Sequence, residues 1–227
     1  MSRARATDFG DAAIGMWDAW SRARAGIPAN DPWLDQFDAD LDARRGQPIL
    51  DLGCGIGADT RWLLERGYGV LSADYSREAL RSVDEHLPES KTAWVDMRRP
   101  FPFKTDSFGV VVSSMALHYF DEATTHALTD EIRRILMPGG ILLARVSSVN
   151  DVSYGAGSGR EVEPGYFDHG GYAQRCLTEH DVRRFFGRIG SLQFFEDAMT
   201  RPEPYYSRPK VMWTIRAEKA GPATESL

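Results

Sequence analysis

The stretch ILDLGCGIGADT, Ile49 to Thr60, limits what this chain can fold into more than any other segment. Its apolar opening has the composition of a buried strand, and Ala58 onward reads as a helix. Between them lie Gly53, Gly55 and Gly57. A glycine-rich turn joining a strand to a helix lets a ligand approach the backbone closely, and it commonly cradles a phosphate at the helix N-terminus. Two details argue against a diphosphate here. The spacing is G-x-G-x-G, whereas a dinucleotide turn wants G-x-G-x-x-G. Asp51 also precedes the first glycine, where its carboxylate would repel a phosphate and suit a ligand carrying an ammonium or sulfonium charge.

On either side of this turn, strands and helices alternate. Two helices precede it, in IGMWDAWSRARAG and DPWLDQFDADLDARRG, with Asp31 the expected N-cap ahead of Pro32. After it come a strand in YGVLSAD, a helix from Arg77 to His86, a strand in TAWVD and a strand in FGVVVSSMAL. A helix from Glu122 to Leu136 and a fifth strand, GILLARVS, follow. Val110 to Val112 and Ile141 to Leu143 are apolar without alternation, as parallel strands covered on both faces must be. The expected fold is a doubly wound α/β sheet of seven mostly parallel strands, with the last, KVMWTIRAE, antiparallel. One domain over residues 1–219 is expected, with residues 1–46 a helical cap and 220–227 a disordered tail. Residues 147–177 interrupt the alternation with six glycines, three tyrosines and no clear period, which marks them as a lid over a site.

Charge and cysteine usage exclude several partners. The net charge is −6 with no Lys/Arg tract, which disfavours nucleic acid. No run of ~18 apolar residues and no signal-peptide core are visible, so no membrane partner and a cytoplasmic location are expected. Cys54 and Cys176 lack metal-ligand spacing, so no metal is expected. Monomer and homodimer stay equally open.

Two more acids identify the ligand. Asp74 ends the second strand, where a carboxylate can accept from both hydroxyls of a ribose. Asp96 ends the third, with Met97 beside it, placed to accept from an adenine amino group. A positive amino-acid end, a ribose, an adenine and no phosphate together describe S-adenosylmethionine. These motifs resemble the class I S-adenosylmethionine-dependent methyltransferases: DLGCGIG, Asp74, Asp96–Met97, FPFKTDSFGVVVSSMALHYF, EIRRILMPGGILL and KVMWTIRAE, in order. The finer resemblance is to small-molecule enzymes of the tellurite-resistance type.

The resemblance implies a cofactor site formed by Asp51, Gly53, Cys54, Gly55, Asp74, Tyr75, Asp96, Met97, Ser113 and Ser114, with Met115 adjoining and Cys54 a small filler rather than a nucleophile. His118, Tyr119, Asn150, Tyr154 and Tyr166 are the catalytic candidates, with Glu161, Glu163 and Tyr172 as further substrate contacts. His118 has packing under the fold as its equal alternative. Trp17 and Trp20 are read as packing their helix onto the domain, with reach over the cofactor as the second reading. The N-P-P-Y signature of nitrogen methylation is replaced by SSMA. Methyl transfer to a small molecule is the leading expectation. Cyclisation of S-adenosylmethionine to azetidine-2-carboxylate with release of methylthioadenosine, and cofactor binding without turnover, are the alternatives.

Overall fold

The computed structural model describes residues 10–24, 32–199 and 208–221. Asp31 and most of the expected tail lie outside the described residues.

Seven strands form the central sheet: β1 (Ile49–Leu52), β2 (Val70–Asp74), β3 (Lys91–Trp94), β4 (Phe108–Ser114), β5 (Leu136–Ser147), β9 (Ser191–Met199) and β10 (Lys210–Glu218). Their order is β3-β2-β1-β4-β5-β10-β9. β1 pairs in parallel with β2 on one side and β4 on the other, and β10 runs antiparallel to both β5 and β9. Six strands therefore point one way, as expected.

The valine run of β4 shows why the strands lack alternation. Val111 packs with Leu128, Ile132 and Phe185 of the helices α5 (Glu122–Ile135) and α6 (Glu179–Phe186). Val110 and Val112 face the other way, against Trp33, Leu41 and Trp62. Trp33 lies in a 3-10 turn at Pro32–Phe37, Leu41 in α2 (Asp38–Asp42) and Trp62 in α3 (Ala58–Glu65). Each fully buried valine contributes about 1.5–3 kcal/mol of apolar transfer, on whichever face it points. A charge substituted at any of the three would have no solvated side to turn to.

Side-chain caps set where helices start. Ser76 Oγ accepts from Ala79 N–H at the head of α4 (Arg77–His86), and Asp121 Oδ1 from Thr124 N–H at the head of α5. Thr178 and Asp181 make a reciprocal capping box on α6.

Several boundaries differ from expectation. β4 ends at Ser114 because Met115 turns to φ 61°, its N–H reaching Arg145 O at 2.9 Å. The Pro138-Gly139-Gly140 turn sits inside β5, where the pairing with β4 shifts register. The largest difference is the segment without period. It contains a three-stranded antiparallel sheet, β6 (Arg160–Glu163), β7 (Tyr166–Asp168) and β8 (Ala173–Arg175). Three or four residues per strand, separated by glycines at positive φ such as Gly165 and Gly170, are too few to display alternation.

The remaining helix, α1 (Gly10–Ala23), lies against α4, with Asp18 accepting from Ser76 Oγ. Among the described residues, no helix is long and apolar enough to cross a membrane.

Candidate active site

The strand order reverses between β1 and β4, and in an open α/β sheet ligands bind beyond the carboxyl ends at that point. A cleft of about 870 Å³ lies there, running from Asp96 and Arg98 past the glycine turn to Tyr172 and Lys210.

The turn is tied down by β2. Gly53 and Cys54 N–H both donate to Ala73 O, at 2.7 and 3.0 Å. Asp74 holds the next turn of chain: its Oδ2 accepts from Gly55 N–H and its Oδ1 from Ser76 N–H, both at 2.8 Å. The carboxylate still borders the cleft, and burial raises its pKa above the usual carboxylate value. Tyr75 and Met97 line the same end. Cys54 also lines it, and burial, followed by the charges of Asp74 and Asp51, pushes its thiol well up. A thiol held protonated is a filler, not a nucleophile.

Asp51 is placed differently from the sequence expectation. Strand alternation puts Leu50 and Leu52 on one face and Asp51 on the other, toward α3. Its carboxylate is 1 % exposed beneath the turn and accepts from Thr60 Oγ1 at 2.6 Å. Thr60 continues through the Ser72 hydroxyl to that of Ser90. Burial first, then the charge of Asp59, raises the Asp51 pKa to about 8. Asp51 is therefore neutral in the free protein at lower pH, and a cation entering the cleft favours its ionised form. Affinity for an ammonium-bearing cofactor is expected to rise with pH between 6 and 8, by up to about tenfold per unit. Calorimetry with S-adenosylhomocysteine checks this, and Asp51→Asn is expected to flatten the slope.

Asp96 carries a partner that sequence reading missed. Arg98 forks onto it, Nε to Oδ1 and Nη2 to Oδ2, each at 2.9 Å, and Nη2 also donates to Tyr75 Oη at 2.6 Å. Burial opposes ionisation of Asp96, but Arg98, with Arg99 nearby, brings its pKa below the usual value. Asp59, in the first turn of α3, also went unforeseen; it borders the cleft and accepts from Trp33 Nε1 at 2.8 Å. An acid one turn beyond the glycines, at a positive helix end, was the available signal.

Of the remaining expected residues, Ser114 lines the cleft and accepts from Arg145 Nε at 3.1 Å. Ser113 does not, because its hydroxyl points into the sheet and donates to Leu52 O at 2.7 Å. Tyr119, Tyr154, Tyr166 and Tyr172 border the far end, and Trp17 and Trp20 face the cleft from α1. Tyr166 Oη donates to Tyr119 O at 3.2 Å, and burial raises its pKa. His118 is packed under the fold, 1 % exposed, with neither ring nitrogen hydrogen-bonded. Burial, then the charge of Lys210, lowers its pKa well below the usual value. Asn150 lies off the cleft, donating to both oxygens of Glu196 on β9, at 2.8 and 3.1 Å. Glu161 accepts from Gly165 N–H, and Glu163 pairs with Arg175 of β8; both acids lie on β6 and neither lines the cleft. Lys210, Gln174 and His169 complete the far end, and no motif announced them.

Comparison with known proteins settles the family. The methyltransferase-domain family matches residues 49–140. An uncharacterized methyltransferase of Mycobacterium bovis is 30% identical over 206 residues, covering 90% of this chain and 72% of that protein. The chain belongs to the class I S-adenosylmethionine-dependent methyltransferases. An uncharacterized methyltransferase of Synechocystis is 34% identical over 96 residues, 42% of this chain and only 45% of that relative. Among solved structures, an S-adenosylmethionine-dependent methyltransferase of Mesorhizobium loti superposes with TM-score 0.66 at 22% identity, covering 86% of this chain and all of that one. The 1,6-didemethyltoxoflavin-N1-methyltransferase of Burkholderia thailandensis superposes with TM-score 0.67 at 15% identity, covering 97% and 92%. These two likenesses bear on the fold alone.

The cofactor end of this methyltransferase fits that molecule on two observations. A side chain at Gly55 would meet nothing within 4 Å, so the turn presents open backbone to the cleft. Three acids, Asp59, Asp74 and Asp96, border that same end, which suits a cationic ligand rich in donor groups. Arg98→Met is expected to lower affinity for S-adenosylhomocysteine by about tenfold, because an oriented, ionised Asp96 is lost. Calorimetry measures it, and Arg98→Lys, a point charge without the fork, should recover only part.

Proposed function

We propose that this methyltransferase transfers the methyl group of S-adenosylmethionine to a small-molecule acceptor. The observation that carries this reading is the continuity of the cleft. Acids border one end and aromatic side chains the other, within a single space of about 870 Å³. That volume is near the upper end of small-molecule sites, roughly 300–1,000 Å³, and leaves room for two ligands side by side.

The bound cofactor supplies a methyl group on a sulfonium centre, open to in-line displacement. The protein's contribution is alignment and exclusion of water, which can supply much of the acceleration. Asp74, held by Gly55 and Ser76 N–H, is placed for the ribose, and Asp96, held by Arg98, for the adenine. Ser114 and Met115, where β4 breaks off, also border the cleft. Residues 147–177 and α1 supply the walls of the far end and are the proposed cover over the acceptor.

Incubation with S-adenosylmethionine and a metabolite panel, followed by mass spectrometry, tests the reading. S-adenosylhomocysteine should accumulate together with one methylated acceptor. Methylthioadenosine formed without any acceptor would replace methyl transfer by cleavage of the sulfonium. Tight cofactor binding with no product across the panel would leave a sensor.

A further inference from the structure

The far end of the cleft has a chemistry of its own, set by aromatic rings. Five rings stand there as consecutive neighbours: Trp20, Trp17, Tyr119, Tyr172 and His169. Trp20–Trp17, Trp17–Tyr119 and Tyr119–Tyr172 meet edge to face, with centroids 6.3, 4.9 and 6.2 Å apart, and Tyr172–His169 stack at 4.9 Å. All five border the cleft, so they form an arc from α1 to the turn between β7 and β8.

Two groups of another kind interrupt this apolar wall. Lys210 borders the cleft with its side chain only 7 % exposed; its Nζ lies 3.0 Å from Asp151 and 5.0 Å from the centre of the Tyr154 ring. Asp151 is itself fully buried, and its other oxygen accepts from Val211 N–H, so it anchors the ammonium from behind. Gln174 borders the cleft at 3 % exposure, with its amide N–H groups donating to Ser147 Oγ at 3.0 Å and Cys176 Sγ at 3.8 Å. Asp121 is the carboxylate that faces this end, and it is engaged as the N-cap of α5.

Aromatic walls receive two kinds of ligand, flat rings and organic cations. A cation cage gathers its rings around a point and leaves a carboxylate to meet the charge. Here the rings are chained one to the next along the wall, and a buried ammonium, Lys210, borders the same end. A flat ring, by contrast, covers several neighbours of the arc at once, and an oxygen on its edge can accept from Lys210. Lysine N–H bonds to anionic oxygens are the strong, charge-assisted kind.

We propose that the acceptor is a planar aromatic compound carrying an anionic oxygen, with its ring against the Trp17–Tyr119–Tyr172–His169 arc and its oxygen toward Lys210. This rests on the methyl-transfer reading of the cleft and names its substrate class.

The test uses the full-length protein saturated with S-adenosylhomocysteine, whose binding is first measured by calorimetry. Failure at that step would remove the cofactor reading itself. Four ring fragments of matched size are then titrated by protein-observed NMR: benzoate, benzamide, cyclohexanecarboxylate and benzylammonium. Benzoate should bind about threefold to tenfold more tightly than its saturated counterpart, the advantage of ring–ring contact. It should also exceed benzamide by about tenfold, the advantage of an anionic acceptor. Lys210→Met should remove the preference for benzoate over benzamide while leaving affinity for S-adenosylhomocysteine within twofold. Tyr172→Ala should narrow the gap between benzoate and cyclohexanecarboxylate. Equal binding of all four, a preference for benzylammonium, no binding of any, or a benzoate preference that survives Lys210→Met would each overturn the proposal.

Discussion

Gly53→Ala is expected to reduce affinity for S-adenosylhomocysteine by about a hundredfold or more and to lower the melting temperature. Gly53 has φ 74°, a region that disfavours L side chains by roughly 1–2 kcal/mol. A Cβ there would lie 2.4 Å from Ala116 Cβ and 2.9 Å from Met97 Cε. Met97 can retreat, but Ala116 Cβ moves only with its backbone, so overpacking adds about 1–3 kcal/mol. The total of about 2–5 kcal/mol corresponds to a drop on the order of 4–20 °C for a domain of this size. Because Ala116 and Met97 both border the cleft, the shift that relieves the clash distorts the site itself. Gly55→Ala is the control. Its φ is 52°, yet an added Cβ would meet nothing within 4 Å, so only the backbone penalty should appear in its melting curve. Equal stability losses in the two variants would refute the packing argument.

Asp74→Ala should be nearly as severe for the cofactor. If Asp74 accepts from both ribose hydroxyls as proposed, the two charge-assisted bonds would contribute about 1.5–3 kcal/mol each, so their loss implies at least a hundredfold weaker binding. The same substitution releases Gly55 N–H and Ser76 N–H, which the carboxylate now holds at 2.8 Å. Asp74→Asn separates the two effects, since its amide oxygen can still accept from one of those N–H groups. If calorimetry finds the affinity of folded Asp74→Ala unchanged, Asp74 has no part in the site.

The parts of this protein that were legible in the sequence are those set by neighbours in the chain. An apolar run bounded by glycines announced β1 and the turn after it, and Val110 to Val112 announced a strand buried on both faces. Asp74 stood at the end of β2 and Asp96 two residues past β3, so the topology carried them to one cleft edge whatever the details of packing. The small sheet of residues 160–175 was not legible, because strands of three or four residues are held by their cross-strand partners rather than by their own pattern.

Side-chain direction and partner choice belong to the tertiary structure. The sequence placed Asp51 beside the glycine turn, but only folding decided that its carboxylate lies underneath, bonded to Thr60, where burial raises its pKa. The sequence named seven tryptophans and tyrosines near the site, yet the arc exists only where α1, the loop after β4 and the β7–β8 hairpin converge. Lys210 and Asp151 lie 59 positions apart and become a buried pair because β10 inserts beside β5. The sequence by itself therefore determined the fold, the cofactor class and the strand-end acids, all of which follow from local periodicity and backbone geometry. Tertiary structure alone decided the far end of the cleft, because burial and charge pairing there depend on residues that only folding brings together.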